Sequence, residues 1–164
     1  MGSKRFQDVI GLILKHEGGY IDHPDDPGKE TNYGISANAY PDLDIENLTE
    51  EDAREIYYED YWKPARCDEV PKGLDLMLFD AAVNHGVGGA VRILQRAIGE
   101  TDDGSFGPKT MSGVESQNPA QLVQEYAARR MHFYGQLDTF GSFGLGWSRR
   151  LMDVYKYSLF DVEV

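Results

Sequence analysis

Residues 6–20 read Phe6-Gln7-Asp8-Val9-Ile10-Gly11-Leu12-Ile13-Leu14-Lys15-His16-Glu17-Gly18-Gly19-Tyr20. Phe6, Val9, Ile10, Ile13 and Leu14 recur at the spacing of one helix face, and Glu17, three residues after Leu14 and four after Ile13, falls on that face. The carboxylate is therefore aimed at the protein rather than at water. The glycine pair marks the helix stop, which leaves Glu17 in the last turn, where the negative end of the helix dipole opposes a further negative charge. Partial burial acts in the same direction. Both effects favour a carboxyl that holds its proton, the state required of a general acid.

The chain after Glu17 alternates between strand and turn chemistry. Tyr20-Ile21 and Tyr33-Gly34-Ile35 suit short strands, and Pro24-Asp25-Asp26-Pro27-Gly28 between them suits a turn. This predicts a small hairpin folded back beside Glu17. It would bring Asp25 or Asp26 and Thr31 toward the carboxyl, adding a second carboxylate and a hydroxyl able to position a water. The aspartates equally suit the cap and turn of their own segment.

The remainder reads as helical. Thr49-Glu50-Glu51-Asp52 opens a helix whose period runs through Ala53, Ile56, Tyr57 and Tyr61 before Pro64. Gly73 to Gly86 is apolar on nearly all sides, with Asp75, Asp80 and Asn84 as polar exceptions. Asp80 is expected to be satisfied by neighbouring backbone, and Asn84 either by such partners or by facing a groove. A further helix spans Ala90 to Ile98, and Asn118-Pro119 opens a longer one. Asp102 to Pro108 reads as a loop built on turn and cap chemistry, since it lacks the later glutamate of a calcium loop. The glycine-rich stretch Gly135 to Gly146, with Phe140 and Phe143 inside it, is read as a packed connection, with a mobile flap as the alternative.

A chain of 164 residues can bury about two-thirds of its unfolded surface, enough for one domain or two small lobes. Cys67 is the only cysteine, so the fold cannot depend on an internal disulfide. The net charge of −12 excludes nucleic acid as a natural partner. It also removes any long-range attraction to an anionic surface, so binding must come from aromatic and hydrogen-bonding groups, which ten tyrosines and two tryptophans can supply. The N-terminal stretch is broken by Gln7, Asp8, Gly11 and Lys15 and does not read as a secretory signal, and no run approaches a membrane span, so accumulation in the cytoplasm without stable membrane association is expected. His16, His23, His85 and His132 form no metal-binding motif, and neither a metal nor another cofactor is expected. His16 is expected to be exposed. His85, before Gly86, suits a capping cation.

Several linked motifs resemble one family. Glu17-Gly18-Gly19-Tyr20, Asp26-Pro27-Gly28 and Thr31-Asn32-Tyr33-Gly34-Ile35 resemble the signature of glycoside hydrolase family 108, the N-acetylmuramidases of phage endolysins and phage-like bacterial genes. Phe79-Asp80-Ala81-Ala82-Val83-Asn84-His85-Gly86, Leu94-Gln95-Arg96-Ala97 and Asp103-Gly104-Ser105-Phe106-Gly107-Pro108-Lys109-Thr110 resemble the predicted peptidoglycan-binding region that follows in that family. Together they span roughly Phe6 to Leu159. One departure is Lys29-Glu30 before Thr31, where many relatives carry small residues.

The resemblance implies that Glu17 is the catalytic glutamate. The spacing from Glu17 to an aspartate and then a threonine is also similar to the Glu, Asp, Thr arrangement of certain phage lysozymes. Asp26 fits the first interval and Asp25 the second. The expectation is a mainly α, lysozyme-like fold with a small β-hairpin lobe beside a helical lobe, residues 1–86 catalytic and residues 87–164 peptidoglycan-binding. Glu17, Asp26 and Thr31 would act on the β-1,4 bond after N-acetylmuramic acid, and Tyr33 and Asn84 would contact sugar. Peptidoglycan glycan strands are the implied partner of a monomer, reached at the wall through a holin or an export system. Two other classes share these features: a wall-binding module without turnover, and an adaptor in a secretion or phage particle.

Overall fold

The computed structural model describes residues 2–22 and 30–161. The fold is mainly α and lysozyme-like, with six α-helices and one two-stranded antiparallel sheet among the described residues. The chain divides into two compact units, Met1–Asp60 and Tyr61–Val164.

In the first unit, helix α1 spans Lys4–Glu17 and buries Phe6, Val9, Ile10 and Ile13, the stripe that the periodicity predicts. Burying one such side chain contributes about 1.5–3 kcal/mol, enough to explain why the helix forms here. The Ser3 hydroxyl accepts the Phe6 N–H at 3.2 Å and caps its start. Strands β1 (Thr31–Asn32) and β2 (Ile35–Ser36) pair with Thr31 opposite Ser36 and Asn32 opposite Ile35. Ile21 bridges to Thr31 on the other side. Tyr33 and Gly34, expected within a strand, are instead the two-residue turn of this hairpin. Both have positive φ, 51° and 78°, as a primed turn matched to the strand twist requires. Helix α2 (Glu50–Tyr57) begins with a capping box of Thr49 and Asp52 and buries Ala53 and Tyr57. A π-helical turn, Tyr58–Trp62, follows it.

In the second unit, α3 (Leu74–Ile98), α4 (Pro108–Glu115), α5 (Pro119–Gly135) and α6 (Phe140–Phe160) make up the helical core, with α5 packed on both α3 and α6. The two helices predicted over 73–86 and 90–98 are one element bent at Gly86 (φ 74°, ψ 159°), a conformation in which glycine lets the helix resume instead of stopping it. The division expected between residues 86 and 87 falls at this bend, whereas the compact units divide between Asp60 and Tyr61. The predicted connection over 135–146 is shorter than its glycines suggest, because α6 already begins at Phe140. The Phe140 ring packs where a Cβ on Gly144 would stand, 2.7 Å away, which explains that glycine within the helix.

Asp80 is fully buried, and its partners are not backbone as expected but two arginines. Arg130 Nη1 lies 2.6 Å from Oδ2, and Arg150 reaches Oδ1 with Nη2 at 2.8 Å and Nε at 2.9 Å. Burial by itself would raise the Asp80 carboxyl, but the Arg130 and Arg150 charges outweigh it and hold the group below the usual carboxylate range. His85 is not a capping cation. Arg130 Nε donates to its Nε2 at 3.1 Å, and burial together with the Arg130 charge pushes the imidazole down to about 4, so it is neutral at neutral pH. His16 is half-buried rather than exposed. In the 102–107 loop, buried Gln95 donates to Asp103 Oδ1 (2.8 Å) and the Ser105 carbonyl (3.1 Å), and accepts the Gly104 N–H (2.9 Å). Asp103 Oδ1 also accepts the Ser105 N–H at 2.8 Å, the turn chemistry expected there.

Two stability measurements follow. Asp80→Asn removes the carboxylate shared by the buried Arg130 and the partly buried Arg150 and should cost about 3–5 kcal/mol in urea unfolding; a loss below about 1 kcal/mol would show that the network carries little of the fold. An unfolded imidazole takes up a proton below about pH 6.5, and folded His85 does so only near 4. Protons in that window favour the unfolded chain, so stability falls as pH drops from about 6.5 toward 4. His85→Gln, which keeps an acceptor for Arg130, should flatten that slope, and an unchanged slope would count against the assignment.

Candidate active site

Within the first unit the Tyr33-Gly34 turn lies against the Glu17 carboxyl. Glu17 is the last residue of α1 and half-buried; Gly18, with φ 81°, ends the helix and returns its N–H to the Leu14 carbonyl at 3.1 Å. A Cβ on Gly34 would stand 2.5 Å from Glu17 Oε2, 2.9 Å from Glu17 Cβ and 2.7 Å from Tyr57 Oη. Only glycine allows this approach, and the positive φ requires it independently. Tyr57, buried in α2, donates its hydroxyl to the Tyr33 carbonyl at 2.7 Å and so holds the turn by its backbone.

The rest of the hairpin is anchored residue by residue. Asn32 is buried, and its Nδ2 donates to the Ile45 carbonyl at 3.2 Å and the Leu48 carbonyl at 3.3 Å. Ile35 is buried as well. Thr31 exchanges backbone hydrogen bonds with Ile21, N–H to O at 2.8 Å and O from N–H at 2.7 Å, which closes the base of the 22–30 segment. The Tyr20 hydroxyl donates to Glu30 Oε1 at 3.1 Å, with burial and the Glu30 carboxylate pushing the phenol up to about 12. Glu30, one of the two residues that depart from the family pattern, thus acts as a clasp at the foot of that segment.

The structure therefore places the Tyr33-Gly34 turn against Glu17, while Thr31, paired with Ser36, stands at the open end of the same hairpin, away from the turn. Asp25 and Asp26 lie outside the described residues. Asn84 belongs to the second unit, is exposed, and donates its Nδ2 to the Asp80 carbonyl at 3.1 Å. Two residues that pattern reading missed complete the site, Gly34 and Tyr57. Gly34 was visible as a glycine after an aromatic residue between apolar neighbours, and Tyr57 only as one more member of a helical stripe. A concavity of about 630 Å³ in the same unit, lined by Gly2, Gln7, Glu50, Glu51, Arg54 and Glu55, contains none of the expected site residues.

Chemically, this arrangement sets one carboxyl at a helix C-terminus, with the Gly34 turn and the Tyr57 hydroxyl beside it. A positioned proton donor or acceptor is what it can supply. Among the described residues no group of three or more His, Cys, Asp and Glu side chains could hold a metal ion.

Comparison with known proteins gives two family matches. The family described as Glycosyl hydrolase 108 matches residues 10–86, and the one described as Predicted Peptidoglycan domain matches residues 89–152. The first stretch ends at the Gly86 bend of α3, and the second begins at Gly89. The solved structure of Brucella abortus SagA is similar with a TM-score of 0.88 and 32% identity, covering 97% of this chain and 96% of that one. No curated protein matches the chain.

Gly34→Ala tests the geometry. It places a methyl group against Glu17 and strains the turn, and it should destabilise the protein by about 1–3 kcal/mol. Tyr57→Phe, which removes one hydrogen bond to the turn, should cost about 0.5–1.5 kcal/mol. Wild-type unfolding of both variants would show that the turn is not held as described.

Proposed function

The chain belongs to glycoside hydrolase family 108, and from that premise we propose that it is an N-acetylmuramidase that cuts the β-1,4 bond between N-acetylmuramic acid and N-acetylglucosamine in peptidoglycan. The close approach of the Gly34 turn to the Glu17 carboxyl carries this reading, because it fixes a helix-terminal carboxyl within the stretch matched by the hydrolase family. Glu17 donates its proton to the leaving glycosidic oxygen. Asp26, or Asp25, in the sequence between Ile21 and Thr31, stabilises positive charge on the sugar or orients water. Thr31 holds that water, and Tyr33 and Asn84 contact sugar. Residues 1–86 supply the chemistry and residues 87–164 the grip on the wall.

Glu17→Gln keeps the shape and removes the transferable proton. Release of reducing sugar from purified peptidoglycan should be abolished, with a melting temperature equal to or above that of the wild type, because the helix dipole no longer opposes a charge there. Retained activity would remove Glu17 as the acid, and lost activity with a large fall in melting temperature would mean damage to the fold. Asp26→Asn and Thr31→Ala should each lower turnover on the order of a hundredfold. A loss confined to Asp25→Asn would move the second carboxylate by one position.

A further inference from the structure

The second unit carries an ordered series of aromatic rings that the chemistry at Glu17 does not use. It starts inside the core, where the Arg130 guanidinium, held by Asp80, lies over the Tyr134 ring at 5.6 Å and donates to its hydroxyl at 3.0 Å. Tyr134 is buried and stacks on Trp147 at 5.2 Å and 24°. Trp147 in turn stacks on Phe143 at 6.0 Å and 28°. Phe143, the outermost ring, is 57% exposed. Phe140, seated over Gly144, approaches Trp147 from another side at 6.3 Å. Exposed phenylalanines are usually mobile. This one is the visible end of a stack whose other end is a buried ion pair.

We infer that Phe143, backed by Trp147, is a stacking platform for a pyranose ring of the peptidoglycan glycan strand, a wall contact additional to the residues around Glu17; the inference rests on reading the chain as a peptidoglycan hydrolase. A pyranose ring has one face of C–H groups, which an aromatic face attracts, and a rim of hydroxyl and amide groups that needs polar neighbours. The platform lies inside the stretch 89–152 that matches the peptidoglycan domain. It also answers the charge problem. A chain of net charge −12 gains no long-range attraction to an anionic wall, and stacking is a neutral contact that does not need any. A ring fixed in place beforehand loses little freedom when sugar arrives, which favours binding.

The test is co-sedimentation with purified peptidoglycan sacculi, using the full-length Glu17→Gln protein so that the wall is not consumed. Adding Phe143→Ala should weaken binding about tenfold, the loss of about 1.4 kcal/mol expected for one stacked ring, with an unchanged melting temperature. Phe143→Tyr should bind like its parent, and a soluble β-1,4 N-acetylglucosamine tetramer should displace both. Parental binding by Phe143→Ala overturns the proposal. So does binding that depends on Phe143 but resists the tetramer, which would assign the platform to the stem peptide. Reducing-sugar release by the protein with Glu17 intact, measured on the same sacculi, separates the two readings. Hydrolysis with Phe143-independent binding defeats the platform alone, and Phe143-dependent binding without hydrolysis defeats the hydrolase alone.

Discussion

The hairpin turn can lie against the Glu17 carboxyl only because residue 34 has no Cβ. That single steric allowance sets the terms for the rest of the first unit. With the turn limited to Tyr33 and Gly34, both residues must take positive φ, a conformation that costs Tyr33 energy unless neighbours hold it. Tyr57 holds it through the Tyr33 carbonyl, and Asn32 holds the adjoining strand through two carbonyls of the 45–48 segment. The stripe of α1 that buries Phe6, Ile10 and Ile13 then fixes Glu17 from its own side. These contacts together set the surroundings of one carboxyl, and a positioned carboxyl is what the proposed general acid chemistry asks of a protein.

The second unit is organised by a different constraint. A carboxylate as deeply buried as Asp80 must be paired, and it draws Arg130 from α5 and Arg150 from α6 onto α3. Arg130 is then fixed firmly enough to donate to a neutral His85 and to lie over Tyr134, from which the rings of Trp147 and Phe143 lead to the surface. Core electrostatics and the packing of the outer rings are linked there through one guanidinium.

Much of this was legible in the sequence, for reasons that are local. The α1 stripe, its glycine stop and the capping box at Thr49 are patterns within a few residues, and the structure reproduces them. The misreadings share a cause in longer-range geometry. Tyr33-Gly34 lacks the Asn-Gly or Asp-Gly pair that usually announces a primed turn, and the bond from Tyr57 that holds a tyrosine there comes from 24 residues away. Gly86 looks like a helix stop because the residues after it do not reveal that the helix resumes. The partners of Asp80 lie 50 and 70 residues away, beyond any window of periodicity. His85 looked like a cation because its nearest neighbours in sequence do not include the arginine that keeps it neutral.

The proposed function rests on which bond of the glycan the protein cuts, and the most direct measurement is mass spectrometry of purified peptidoglycan after digestion by the intact protein. The account predicts muropeptides that end in a reducing, hydrated N-acetylmuramic acid. Reducing N-acetylglucosamine ends, anhydro-muramic ends or released stem peptides would contradict it, by assigning the chain to a glucosaminidase, a lytic transglycosylase or an amidase instead.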